Sequence, residues 1–357
     1  MTEKITMKAI AEACGVSIGT VDRALNDRGR INPETREKIL QTARQMGYSR
    51  NLLASALRRR HKVRVLVLSP REPSFFFCHV EAGIRKAMED MADYGVELVQ
   101  LHTEFLDTAQ QMEALATVDK GRIDGLVLTA ASDALAQRIN EFADAGIPVV
   151  TFNSDAAQSR RHCFVGEDPY QAGRQCGNFM GSFLGGQGTV AALISESTPG
   201  SRADRLRGFS DVLREKYPHI RLLDPCTCGE LEADASSQIA AVLRDHGHID
   251  GIFASSASST VGVGRFFRDN PQIPQPVLMG YDVTEETAQF LKDGIFTLVL
   301  EQNPKMQSYH AVNLMCRHLL QDYPLEQTHY EIRTQVVTRE NVRSFCENAG
   351  RGREILL

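Results

Sequence analysis

A run of residues near the amino terminus has the chemistry to read a nucleic acid. In ITMKAIAEACGVSIGTVDRALN (5–26), one stretch of helical spacing is broken at Gly15 and a second begins after Ser17. The second opens with Ser17, Ile18, Gly19 and Thr20, followed by Asp22 and Arg23. Two short helices joined at a glycine form a helix-turn-helix by pattern. The second helix of such a unit enters the major groove and lays its first residues on base edges. Arg23 can reach guanine or a phosphate. Ser17 and Thr20 can hold phosphate oxygens, helped by the free N–H groups of a helix start. Ile18 can touch a thymine methyl, Gly19 reads nothing by side chain, and Asp22 either accepts from cytosine or repels phosphate.

Small helices must position these residues. Thr6 is placed to cap the first, with Ile10 and Ala13 facing inward, and Ser17 caps the second, whose apolar positions are Val21, Ala24 and Leu25. Asn32-Pro33-Glu34 is a strong helix start: a capping side chain, a proline where no N–H is needed, and an acid in the first turn. Ile39, Leu40, Ala43 and Met46 keep helical spacing up to Gly47, so 5–47 reads as three helices around a small shared core. NLLASALRRR (51–60) is helical in composition. It is too short to be stable alone, and Leu52, Leu53 and Leu57 have nothing nearby in sequence to pack on.

The 357-residue chain carries a net charge of -5, unevenly spread. Residues 1–64 hold 14 Lys+Arg and 6 Asp+Glu, a balance of +8; the remainder holds 26 and 39, a balance of -13. A basic head on an acidic body points to a polyanion that meets the head alone.

After residue 62 the character changes. Apolar runs at 63–68, 96–101, 125–130, 148–152, 189–194, 251–255, 277–282 and 296–302 alternate with amphipathic helical stretches such as VEAGIRKAMEDMADYG and DALAQRINEFADAG. This alternation predicts parallel sheets covered by helices on both faces, in two lobes, with ligands at the carboxyl ends of strands. Eight scattered cysteines form no C-x-x-C pair. Cys226 and Cys228 lack a second Cys/His pair at zinc spacing, so reduced thiols are expected and no metal. His246 and His248 read as solvated loop residues. The polar, periodic start lacks the apolar run of a signal peptide, and no stretch approaches the ~20 apolar residues of a spanning helix, so a cytoplasmic protein is expected. No P-loop, nucleophile elbow or dinucleotide fingerprint is present, and no catalytic set stands out.

TMKAIAEACGVSIGTVDRALN, then RINPETREKILQTARQMGY, then LLASALRRR resemble the DNA-binding head of the lactose- and purine-repressor family of bacterial regulators. The acidic remainder resembles the same family's sensor domain, built like periplasmic sugar-binding proteins of the ribose type. The resemblance implies an all-α helix-turn-helix head (1–48), a hinge helix (49–62) and a two-lobed α/β sensor (63–357). Lobe 1 would comprise about 63–162 and 303–328, and lobe 2 about 163–302 and 329–357. It implies that the hinge folds when two subunits meet on an operator, with Leu57 wedged into the minor groove and Ala54 beside it. Apolar wedges are how proteins unstack a base step. Thr6, Arg28 and Asn51 join the DNA-binding positions on the same ground. Arg50 stands where a proline is common, which loosens the hinge. Ile18 and Gly19 replace a hydrogen-bonding pair found in many members, and Asp22 replaces a serine, so the operator sequence does not carry over.

In the sensor the resemblance matches ligand positions one at a time. In SFFFCHVEAG, Phe76 and Phe77 match rings that lie against a sugar. Asn153 in PVVTFNSD, Arg205 in SRADRLRGF, Asp282 in GYD and Gln302 in LEQ match polar ligand positions. The planar fork of Arg205 suits vicinal hydroxyls or a carboxylate. Three departures stand out: Ser256 and Ala257 replace an Asn-Asp pair in FASSAS, and Ser74 replaces an Asn. These changes weaken sugar contacts and point away from ribose. Arg71 and Arg202 fall near the cleft, which leaves an acidic sugar open. The expected function is a homodimeric repressor of carbohydrate-utilisation genes, bound to a near-palindromic operator and governed by a sugar or polyol, with no cofactor and no membrane. A tail without a leucine heptad argues against a tetramer-forming helix. The rivals are a transport-type sugar-binding protein without gene control and a sugar-handling enzyme.

Overall fold

The computed structural model describes residues 5–25, 31–46, 62–71, 75–104, 106–195, 199–229 and 232–351. They fall into two compact units, Met1–Arg60 and His61–Leu357.

The first unit contains α1 (Met7–Cys14), α2 (Ile18–Leu25) and α3 (Pro33–Gln45). Thr6 Oγ1 accepts from the Ala9 N–H at 3.3 Å and caps α1, which Gly15 ends in the left-handed region at φ 70°. Ser17 Oγ accepts from Thr20 N–H at 3.1 Å and caps α2. Asn32 Oδ1 takes the Glu34 N–H at 2.9 Å at the start of α3. Ile10, Ala11, Cys14, Val21, Ala24, Leu25, Ile39 and Ala43 form the core. Ala13, expected to face inward, is exposed. In so short a helix the buried stripe is set by Ile10 and Cys14, four apart, with Ala11 beside them, and Ala13 falls outside it.

The second unit holds two sheets. The first comprises β1 (Val63–Pro70), β2 (Val96–Thr103), β3 (Gly125–Leu128), β4 (Val149–Phe152), β5 (Cys163–Gly166) and β12 (His329–Glu331), in the order β12-β5-β4-β3-β1-β2, all parallel. The second comprises β6 (Gln187–Ser195), β7 (His219–Leu222), β8 (Cys226–Cys228), β9 (Gly251–Ala254), β10 (Val277–Tyr281), β11 (Leu298–Glu301) and β13 (Gln335–Val337). Its order is β13-β11-β10-β9-β6-β7, with β8 also on β6 and only β13 antiparallel. Every residue of β3, β4, β9 and β11 is buried, as expected of strands covered on both faces. At roughly 1.5–3 kcal/mol for each large apolar side chain removed from water, these runs supply the main drive for the two lobes.

The helices are α4 (Phe75–Met91), α5 (Thr108–Ala116), α6 (Ala136–Asp144), α7 (Pro169–Phe183), α8 (Pro199–Lys216), α9 (Glu232–His246), α10 (Ala257–Asp269), α11 (Glu285–Lys292), α12 (Pro304–Gln321) and α13 (Val342–Arg351). The chain passes between the sheets three times: after β5, after β11, and between β12 and β13. This corrects the expected lobe boundaries. Cys163–Gly166 pairs with β4, and His329–Glu331 pairs with Cys163–Gly166, so both belong to the first lobe. Three apolar residues before Gly166, and the lone Tyr330 between His329 and Glu331, carry too little apolar pattern to be assigned before their neighbours are known. His246 ends α9 instead of lying in a loop, and exposed His248 sits 3.1 Å from Asp250. Among the described residues, no helix is long and apolar enough to cross a membrane.

Candidate functional site

Arg205 is the centre of the site. It rises from α8, which packs against α7 backbone to backbone. A methyl group added at Gly173 would strike the Arg205 carbonyl, and one at Gly208 would strike the Tyr170 carbonyl. Only glycine at both positions allows this approach. The Arg205 guanidinium lies over the Tyr281 ring at 4.0 Å, and that ring abuts Phe253, which stacks on Phe209 at 4.4 Å. The cation therefore rests on the face of Tyr281, which in turn meets Phe253 edge-on.

Its hydrogens are directed by three strand ends. Arg205 Nε donates to Glu167 Oε1 at 2.6 Å, and Nη2 donates to the same oxygen. Nη1 donates to the Ser255 carbonyl at 3.0 Å, and Nη2 also to Gln302 Oε1 at 2.9 Å. Gln302 Nε2 then donates to both Asp282 oxygens at 3.1 Å. Glu167 follows β5, Ser255 follows β9, Asp282 follows β10 and Gln302 follows β11, so the network draws on the carboxyl ends of strands in both sheets. Asp282 (φ 63°) and Asn153 (φ 62°), which follows β4, take left-handed backbone conformations, which short polar Asx side chains tolerate best after glycine.

Burial raises the Glu167 carboxyl above its ordinary range, and the charge and donors of Arg205 offset only part of that rise. Burial pulls the Arg205 guanidinium down, but Glu167, Tyr281 and Asp282 outweigh that and hold it protonated. Two donors on one carboxylate oxygen is the arrangement of an ionised pair. Such a pair costs several kcal/mol per ion to desolvate, and the two partners offset part of that for each other, while Glu167 Oε2 is buried with no hydrogen-bond partner among the described residues. Glu301 lies behind it. Its carboxylate accepts from the Val283 N–H at 2.8 Å and the Asn303 N–H at 2.9 Å. Burial, and then the charge of Asp282, push it up to about 8. Glu301 thus ties the residue after Asp282 to the residue after Gln302.

Of the expected ligand positions, Arg205, Asp282 and Gln302 are buried and joined by hydrogen bonds. Ser256 is buried and commits its hydroxyl to capping α10, where Ser259 N–H donates at 3.3 Å. Phe76 and Phe77 are half-buried on the first turn of α4 and meet edge to face at 5.3 Å. Ser74 lies outside the described residues, as do Arg28, Asn51, Ala54 and Leu57 of the DNA-binding set. Glu167, Glu301 and Tyr281 were missed by sequence reasoning. Asp168-Pro169 is a readable helix start, and Asp168 does cap α7. Nothing in the spacing indicates that the residue before it meets an arginine 38 positions on.

On the head, Ile18 is 49% exposed on α2, an unusual place for a large apolar side chain. Arg23 Nε donates to the Gly19 carbonyl at 3.2 Å and Nη2 to Thr20 Oγ1 at 3.4 Å, holding the guanidinium along one helix face. Ser17 Oγ and Thr20 Oγ1 lie 2.9 Å apart.

Residues 6–51 match the bacterial regulatory proteins of the lacI family, and residues 65–322 match the periplasmic binding protein domain. The chain belongs to the lacI family of bacterial regulators. This lacI-family regulator is 24% identical to the ribose operon repressor of Halalkalibacterium halodurans, over 95% of the chain and 97% of that protein. It is 29% identical to the maltose regulon regulatory protein MalI of Escherichia coli, over 74% of the chain and 75% of that protein. A match to the regulator DegA of Bacillus subtilis is 24% identical and covers 59% of the chain and 61% of that protein. Among solved structures, a carbohydrate transporter solute-binding protein from Agrobacterium radiobacter, in complex with D-arabinose, superposes with a TM-score of 0.72 at 21% identity. It covers 81% of the chain and 98% of that structure. The glucose-galactose binding protein GanP from Geobacillus stearothermophilus gives 0.71 at 24% identity, over 79% and 99%. At these identities the structural likeness is one of fold.

Proposed function

We propose that this lacI-family regulator is a homodimeric, cytoplasmic repressor of carbohydrate-utilisation genes, with a sugar or polyol effector between its lobes. The observation that carries the reading is the pairing on one chain of a helix-turn-helix head with the Arg205–Gln302–Asp282 network at strand ends. The effector would lie among Arg205, Asp282, Gln302 and Ser256 of the second lobe and Asn153, Phe76 and Phe77 of the first, with Ser74 a further expected contact. The head would be 1–48 and the hinge 49–62. Thr6, Ser17, Ile18, Gly19, Thr20, Asp22, Arg23 and Arg28 would contact a near-palindromic operator, and Asn51, Ala54 and Leu57 would act from the hinge. Names of relatives support the carbohydrate class: ribose operon repressor and maltose regulon regulatory protein.

Coupling follows from position. Glu167 and Gln302 flank two of the three passages between the sheets. A ligand held there favours one lobe arrangement over the other, which two-site coupling requires. The reading includes no catalytic step and no cofactor.

The test is a thermal-shift screen of the full chain against pentoses, hexoses, polyols and sugar acids. An effector at about 100 times its Kd stabilises by about 2.7 kcal/mol. Selection from random duplexes, with and without the hit, should return a near-palindrome whose binding falls steeply with salt and changes with the effector. Turnover of a sugar, or DNA binding indifferent to every ligand, overturns the reading.

A further inference from the structure

Among the described residues, Arg205 is the cation of the network, and its hydrogens are largely engaged. Arg205 offers five N–H donors. Four are engaged: Nε and one Nη2 hydrogen by Glu167, the other Nη2 hydrogen by Gln302, and one Nη1 hydrogen by the Ser255 carbonyl. A carboxylate or phosphate is recognised by arginine through two parallel donors. Only one hydrogen, on Nη1, is left. The side chains of Arg205 and Glu167 are 6% and 3% exposed, so water screens the pair little. Asp282 and Glu301, both buried, add carboxyl groups on the same strand ends.

We propose that Glu167 is a specificity-determining residue that occupies the guanidinium fork of Arg205 and so restricts the effector to a neutral polyhydroxy compound, excluding sugar acids and phosphosugars. This rests on the reading of the strand-end network as the effector site. A hydroxyl or ring oxygen needs one donor from Arg205, and a hydroxyl can return its own hydrogen to Asp282. An acidic group meets a single Arg205 donor and, beside it, the Glu167 carboxylate that already holds the fork. The energetic logic is that of a site discriminating by an unfavourable element as well as a favourable one. The sensor's likeness to sugar-binding proteins says nothing of Glu167, whose role comes from the geometry of this chain.

The test uses the full-length protein, native and with Glu167→Gln or Glu167→Asp. Thermal shifts are read with aldoses and alditols, their aldonic and uronic acids, sugar phosphates, and inorganic sulfate, each against chloride at equal ionic strength. The native chain and Glu167→Asp are expected to respond to acids and sulfate no more than to chloride. Glu167→Gln, with the charge removed and the fork half freed, is expected to gain a response to them, shifting the acid-to-neutral affinity ratio for a matched pair by about tenfold or more. A native chain stabilised more by an acid than by its neutral counterpart overturns the inference. So does a folded Glu167→Gln protein with no gain. If Glu167→Gln does not fold, the native chain's silence or response to acids decides alone. If no neutral compound acts on the native chain while Glu167→Gln gains anion binding, the inference stands and the sugar-effector reading falls.

Discussion

Arg205 donates to Gln302 at 2.9 Å, and Gln302 passes the interaction on by donating to both Asp282 oxygens at 3.1 Å. The amide is therefore oriented from both sides: its oxygen must face the cation and its nitrogen the carboxylate. A glutamine is the residue that satisfies both, since it carries an acceptor and donors on one planar group.

Gln302→Ala should therefore cost about 1–3 kcal/mol of folding stability, because buried donors and acceptors lose their partner. It should also abolish the effector's thermal shift, since Arg205 and Asp282 lose their common link. Urea unfolding with and without effector checks both. Retained effector binding with unchanged affinity would remove Gln302 from the site.

Packing predicts a second effect. An alanine in a helix interior is favoured over glycine by about 1 kcal/mol. At Gly173 the added methyl meets the Arg205 backbone carbonyl, so α7 and α8 must part. Overpacking of this kind costs typically ~1–3 kcal/mol and outweighs the propensity gain. Gly173→Ala is expected to lower the denaturation midpoint and weaken effector binding by displacing Arg205. An unchanged midpoint would mean that the helices separate at no cost.

The head offers a contrast between two neighbours. Ser17 caps α2, and Ser17→Ala should cost ~1 kcal/mol of head stability together with operator affinity. Ile18 is exposed, so Ile18→Ala should leave stability within about 0.5 kcal/mol. If Ile18 touches a thymine methyl, its loss should relax the preference at one operator position and leave the salt slope unchanged. A competition assay over single-position operator variants reads this directly. A uniform loss across all variants would assign Ile18 to the fold of the head.

Much of this architecture is legible in the chain because local rules and packing agree. Thr6, Ser17 and Asn32 announce helix starts, and each does cap one. The eight long apolar runs all become strands, and in the central ones burial on both faces demands continuous hydrophobicity. Short strands such as Cys163–Gly166 and His329–Glu331 are illegible, since they take their identity from the neighbour they pair with. The site divides in the same way. Arg205, Asp282 and Gln302 are visible through the family pattern. Glu167 and Glu301 are not, because their roles arise from contacts between segments far apart in sequence.

Beside Glu167, whose carboxyl burial also raises, Glu301 gives the site a pH dependence. Its carboxyl is raised from 4.5 to about 8 in the folded chain, by burial first and then by the charge of Asp282, with Glu167 adding to it. The folded state thus holds a proton that the unfolded state releases. The sign follows from linkage: the stabilisation is fully present below pH 4.5 and is lost as the pH rises through about 8. Its size is on the order of a few kcal/mol. Glu301→Gln removes the titration while keeping an acceptor for one of the two backbone N–H groups of Val283 and Asn303. Unfolding free energy measured from pH 5 to pH 8.5 should therefore fall more steeply in the native chain than in Glu301→Gln. Parallel curves would show that Glu301 stays ionised across this range, held by its two N–H donors.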